Sequence, residues 1–202
     1  MKMTGKRIAA LICAVIFGFH LGLSLPAMAE EEEILECNGT EAAAEAPAEN
    51  AGMTDETEAL LYAASRAQHV REVIRPAVKA GKVVLCDRFV DSSAAYQGGG
   101  RQMGIEKILQ INAPAVDGTL PDLTVYLDID HRTAMARRCA ATEPDRMEME
   151  AESFHARVED GYHELIRRDP KRFAVVNAEG DRDSIAAEVS GKVLAKLLEM
   201  EK

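Results

Sequence analysis

The stretch Val83-Val84-Leu85-Cys86-Asp87-Arg88-Phe89 opens with four apolar residues and then turns to an acid–base pair. An unbroken apolar run of that length, with Gly81 just before it, fits a strand covered on both faces in a parallel sheet, not the alternation of a half-exposed strand. An Asp-Arg pair at the carboxyl end of such a strand stands at the edge where open α/β sheets bind ligands. Arginine suits a phosphate there, because its planar fork donates two charge-assisted hydrogen bonds at once. The same dipeptide also serves as a structural ion pair at a strand end, and taken alone it does not choose between the two.

Working outward, Leu60, Leu61, Ala64, Ala67, Val70, Val73, Ile74 and Val78 recur at helical spacing behind Asp55 and Glu56, and Gly81 closes the run. This predicts one long amphipathic helix from about Thr54, bent at Pro76. Downstream, Gly98-Gly99-Gly100 reads as a loop, residues 105–116 as helix and 123–129 as a second strand. Residues 131–141 read as helix, 143–150 as a polar loop, 152–168 as helix, 173–176 as a third strand and 184–199 as a last helix. Helices alternating with buried strands predict an α/β layered fold with a mostly parallel sheet, its strands at 83–86, 123–128 and 173–176 being neighbours.

The front of the chain reads differently. Lys2, Lys6 and Arg7 precede an apolar run from Ile8 to Leu25, and Ala27-Met28-Ala29 follows, the three zones of a secretory signal peptide. Export follows from that reading. The run is also long enough to compete as an uncleaved membrane anchor, which would tether the protein. Glu30 to Gly52 has the composition of a disordered acidic linker, with almost no large apolar residue after Leu35. The reading is therefore a signal-like segment at 1–29, a linker at 30–53 and one folded domain at 54–202.

Charge follows the same division. Three bases in Met1–Ala29 and eight acids in Glu30–Gly52, each without an opposite charge, leave −5 of the net −10 for Met53–Lys202. An acidic domain with no basic run excludes nucleic acid as a main partner. Cys13, Cys37, Cys86 and Cys139 show neither CxxC spacing nor an adjacent His pattern, so neither a metal site nor a disulfide framework is signalled.

Four further strings accompany the first. They are Tyr62-Ala63-Ala64-Ser65-Arg66-Ala67-Gln68-His69, then Asp91-Ser92-Ser93-Ala94-Ala95-Tyr96-Gln97-Gly98, then Pro121-Asp122-Leu123-Thr124-Val125-Tyr126-Leu127-Asp128, and Asp145-Arg146-Met147-Glu148. In order and spacing they resemble the thymidylate kinase (dTMP kinase) family over roughly 150 residues, from about Met53 to the end.

The resemblance implies a P-loop NTPase fold of the nucleoside monophosphate kinase kind, three layers around a parallel sheet. It implies ATP-dependent phosphorylation of dTMP to dTDP with Mg²⁺, in dTTP biosynthesis, in the cytoplasm, and it allows a homodimer. Position by position, Tyr62 matches the aromatic that stacks on thymine and Arg66 the arginine that hydrogen-bonds the base. Asp87 and Arg88 match the phosphate-binding pair, Ser93 and Gln97 contacts to the base edge, and Tyr96 the tyrosine packed on the deoxyribose. Arg138 and Arg146 match arginines that neutralise the transferring phosphoryl group. The chain has Ala141-Thr142-Glu143-Pro144-Asp145-Arg146 where many relatives carry a Gly-Glu-Leu-Asp-Arg run.

One part of the pattern is missing from these residues. No G-x-x-x-x-G-K-[ST] occurs: Gly81-Lys82 has Pro76 in place of the first glycine and Val83 in place of the hydroxyl. The family's first strand, the loop that cradles the ATP phosphates and the helix after it are expected to be absent, with neither the ATP nor the Mg²⁺ site complete. The expectations are thus a dTMP kinase-like protein whose own catalysis lacks its phosphate loop, or a non-catalytic exported or tethered nucleotide-binding relic, or a truncated product without function.

Overall fold

The computed structural model describes residues 10–15, 34–38, 52–139 and 150–201. Five strands, β1 (Ala10–Val15), β2 (Ile34–Asn38), β3 (Val83–Asp87), β4 (Leu123–Asp128) and β5 (Phe173–Asn177), form one sheet in the order β2-β3-β1-β4-β5, and every pairing is parallel. The α/β parallel fold expected from the alternation is the one present.

The expected loss of the first strand is corrected. Ala10–Val15 occupies the centre of the sheet, paired with β3 from Ala10↔Val83 to Ala14↔Asp87 and with β4 from Ile12↔Leu123 to Val15↔Tyr126. The strands at 83–87 and 123–128 are therefore separated by β1 instead of being neighbours, whereas β4 and β5 are direct neighbours as expected. The reason is a degeneracy of pattern: a short, uncharged apolar run satisfies both the core of a signal peptide and a strand buried on two faces. β2 likewise lies inside the stretch that reads as linker. The register aligns Cys37, Cys86 and Cys13 at one level of three adjacent strands, a proximity that their spacing in the chain does not signal.

Alternation along β3 and β4 divides the core. Val84, Cys86 and Tyr126 share one cluster with Val70, Ile74, Phe89, Phe154, Val158 and Tyr162, while Val83, Leu123, Val125 and Leu127 share the other with Ile185, Val189 and Val193. Helices thus cover both faces and the domain has three layers. On the first face lie α1 (Asp55–His69), capped by the Thr54 hydroxyl, which accepts from the Thr57 N–H, and α6 (Glu152–Arg168). On the second lies α7 (Arg182–Met200), capped by Asp181. A π-helical turn at Val70–Ile74 joins α1 to α2 (Arg75–Lys79). Pro76 cannot donate to the preceding turn and its ring crowds it, and the widened turn just before it accommodates both.

The three glycines read as a loop are instead helical. After β3 the chain forms α3 (Val90–Ser93) and a π-helical segment at Ala94–Gly100, before α4 (Ile105–Val116). A Cβ on Gly99 would sit 2.7 Å from the Arg157 carbonyl oxygen, and one on Gly161 3.1 Å from Ala95 Cα. The glycines there serve close packing on α6, not a turn. α5 (His131–Cys139) completes the described elements. No helix among the described residues is long and apolar enough to cross a membrane.

An ion pair between buried Asp91 and part-buried Arg172 fastens α3 to the sheet. The Asp91 carboxylate accepts both ends of the Arg172 guanidinium, at 2.7 and 2.9 Å, and the Thr124 hydroxyl at 2.9 Å. Burial alone would lower the arginine's pKa; the bonds and charge of Asp91 outweigh it and hold it above the usual value. Removing Asp91 takes away charge-assisted bonds from Arg172, which keeps Asp169 at 3.2 Å, at a cost of about 1.5–3 kcal/mol. Asp91→Ala is expected to lower the urea unfolding free energy by about that amount. An unchanged midpoint would show that the pair is not a cooperative part of the fold.

Candidate functional site

The segment from Asp87 to Arg101 leaves the carboxyl edge of β3 and passes under α1, which is how residues far apart in the chain meet. Asp87 ends β3, in register with Ala14 of β1 and Asn38 of β2. Arg88 follows with φ of 59°, in the left-handed region that costs a non-glycine residue about 1–2 kcal/mol. This strained turn directs the Arg88 guanidinium over the Tyr96 ring, 5.0 Å from its centroid, and its Nη2 donates to the Tyr96 hydroxyl at 3.3 Å. Tyr96 is held edge-on between Phe154 and Tyr162 of α6, at centroid distances of 6.1 and 6.4 Å.

On α1, Glu58, Tyr62 and Arg66 are four residues apart and form one stripe. Ser93 and Gln97, also four apart, form a second row on the segment that faces it. The two rows are joined at both ends. Arg66, 2% exposed, donates from Nη2 to Ser93 Oγ at 2.8 Å and to the Phe89 carbonyl at 3.4 Å, and from Nη1 to Asn112 Oδ1. At the other end Gln97 Nε2 donates to Glu58 Oε1 at 2.9 Å. Half-buried Tyr62 stands between these two rungs. The two rungs thus set a polar pair on each side of Tyr62 along α1.

Two supporting groups escape sequence reading. Asn112, buried on α4, accepts from Arg66 and donates to the Ile108 carbonyl at 2.9 Å. Arg101 gathers the acids: Glu58 at 3.3 Å, Asp55 at 3.4 Å and Glu150 at 2.5 Å, with its guanidinium 4.9 Å from the Phe154 centroid. Burial would lower the Arg101 pKa, and its bonds to Glu150 and Glu58 raise it beyond that loss. Neither residue stands out in a linear pattern, since each acts on a partner some forty residues or more away.

Of the residues named from sequence, Arg66, Ser93, Arg88, Tyr96 and Gln97 are thus gathered on one segment and the helix above it. Arg138 belongs to α5, whose described features do not include its side chain, and Arg146 lies outside the described residues. Arg137, beside it, donates to the carbonyls of Ala178 and Glu179 at 2.6 and 2.7 Å and so fastens α5 to the turn after β5. Among the described residues no group of His, Cys, Asp and Glu is placed to hold a metal ion.

A triphosphate needs a cradle beyond the end of the central strand. The residues after β1, Ile16 to Leu25, include Gly18, Gly22 and Ser24 but no Lys or Arg. Without a Lys or Arg, that donor set does not fit the phosphates of ATP with Mg²⁺.

Comparison with known proteins supplies the relationship. The family model for thymidylate kinase matches residues 37–189. The thymidylate kinase of Limosilactobacillus fermentum is 45% identical over 154 residues, covering 75% of this chain and 72% of that protein. That of Clostridium novyi is 46% identical over 145 residues, 71% of each. A solved structure of thymidylate kinase from Ehrlichia chaffeensis superposes with a TM-score of 0.73 at 24% identity, covering 93% of this chain and 99% of that one, a likeness of fold.

Proposed function

Because this chain belongs to the thymidylate kinase family, we propose that α1 and the segment after β3 form a slot that binds thymidine monophosphate. The observation that carries the reading is the pair of rungs, Arg66 to Ser93 and Gln97 to Glu58, on either side of Tyr62. A thymine ring stacked on Tyr62 offers a carbonyl to Arg66 and the neighbouring ring N–H to Gln97, with Ser93 beside Arg66. Tyr96 packs against the deoxyribose, and its crowded ring leaves little room for a 2′-hydroxyl. Arg88, fixed at the sheet edge with Asp87, takes the phosphate.

The same site is a candidate acceptor site for phosphoryl transfer, with Arg138 and Arg146 as candidate groups that neutralise the transferring phosphate. The residues present do not supply the ATP cradle, so binding without turnover is the function this chain supports best.

Thermal unfolding of the full 202-residue chain with millimolar dTMP, and with dAMP as control, tests the site. A ligand at about 100 times its Kd adds about 2.7 kcal/mol, which raises the midpoint by roughly 5–10 °C for a domain of this size. The expected result is such a rise with dTMP and none with dAMP. Equal shifts, or none, would count against a thymidylate site.

A further inference from the structure

We propose that Glu58 is a positioning residue that selects the pyrimidine by fixing which end of the Gln97 amide faces the ligand, an inference that rests on the dTMP site above. Glu58 is 1% exposed and Gln97 2%. A carboxylate so buried must be paired, and it is: Arg101 Nη2 reaches Glu58 Oε2 at 3.3 Å and Nε reaches Oε1 at 3.4 Å. Both Glu58 oxygens thus already face N–H groups of an arginine, which only donates, and toward Gln97 the carboxylate is an acceptor.

That fixes the amide. A side-chain amide carries a donor at one end and an acceptor at the other, and its orientation follows from its partners. Glu58 Oε1 accepts from Gln97 Nε2 at 2.9 Å. With Nε2 committed to Glu58, Oε1 is the end of the Gln97 amide left to accept from a ligand. Polarity therefore runs in one direction, from Arg101 to Glu58 to Gln97, and ends on an acceptor. At the other rung Arg66 presents a guanidinium, which only donates.

A pyrimidine between these ends must offer an acceptor toward Arg66 and a ring N–H toward Gln97. Thymine and uracil do so, with a carbonyl beside a protonated N3. Cytosine reverses both groups, with an amine beside a bare N3, and meets donor with donor and acceptor with acceptor. Glu58 touches no ligand in this arrangement; it acts through Gln97.

The test inverts the chain of polarity. In Glu58→Gln, Arg101 still demands an oxygen, so the new amide turns its nitrogen to Gln97, and Gln97 turns its own nitrogen to the slot. Calorimetric titration of the full-length wild type and variant with dTMP, dUMP and dCMP reads the result. The dTMP-to-dCMP affinity ratio is expected to fall about 10- to 100-fold in the variant. The dTMP-to-dUMP ratio is expected to stay constant, because both bases show the same edge, whereas general damage to the site moves all three affinities alike. An unchanged dTMP-to-dCMP ratio in a variant that still unfolds cooperatively overturns the proposal.

A second measurement needs no variant. Wild-type protein is expected to bind N3-methyl-dTMP about 10- to 100-fold more weakly than dTMP, since the methyl group removes the donor that Gln97 awaits. Affinity retained within about twofold overturns the proposal even if Glu58→Gln does not fold. Wild type that binds none of these nucleotides overturns the dTMP site itself and this inference with it, a result distinct from dTMP binding with unaltered selectivity.

Discussion

A variant lacking residues 1–29 is expected to show no cooperative thermal transition under conditions where the full chain shows one. β1 is paired on both sides, at five register positions with β3 and four with β4. Its loss turns two interior strands into edges and uncovers apolar surface on both faces of the sheet. At about 0.5–1.5 kcal/mol for each net hydrogen bond, the unpaired ladders alone rival the 5–15 kcal/mol by which a typical domain is stable. Circular dichroism melting would decide the matter. A deletion variant that melts sharply, near the temperature of the full chain, would show that the sheet closes without its central strand. The result also bears on compartment: cleavage after Ala29 removes the strand that the domain is built around, so processing there and the folded sheet exclude each other.

Incubated with ATP, Mg²⁺ and dTMP, the full chain is expected to form no dTDP above the uncatalysed background. Phosphoryl transfer leaves little covalent chemistry for a protein to perform and depends on positioning and on charge stabilisation at the moving phosphate. Removing one preorganised donor from such a site costs about 2.7–4 kcal/mol, or roughly a factor of 100 to 1,000 in rate. The phosphate loop contributes several such donors and a lysine. The residues after β1 carry no such cation, so losses that are even partly additive remove many powers of ten. Turnover at the usual kinase rate of about 1–100 per second would require a phosphate cradle built from residues with no recognisable motif. The contacts proposed for dTMP are on α1 and the segment after β3, remote in sequence from that loop. Binding and catalysis are therefore expected to part company in this chain.

The strands at 83–87, 123–128 and 173–177 and the helices at 55–69, 105–116, 152–168 and 182–200 are legible in the chain because each has its own period, cap or breaker. Tyr62, Arg66, Arg88 and Gln97 are legible as a set only through a family pattern, since each alone has an ordinary structural use. What could not be read locally is of three kinds. Ala10–Val15 was ambiguous because hydrophobicity is shared by exported, membrane-spanning and two-face-buried segments, and only pairing with β3 and β4 chooses among them. Gly98 to Gly100 carries the composition of a loop, yet it is helical, and a side chain would collide with Ile105 of α4 at Gly98 and with Arg157, Phe154 and Val158 of α6 at Gly99 and Gly100. Glu58, Arg101 and Asn112 were invisible because their significance lies in partners supplied by other elements.

Local pattern was enough for the class of fold, because period-two and period-3.6 burial are properties of a segment and its solvent. The centre of the sheet, the orientation of the Gln97 amide and the seating of Arg66 were left to the tertiary structure. Each is the outcome of a hydrogen-bond partner's identity, and a partner brought by folding from forty or seventy residues away leaves no mark on the residues beside it.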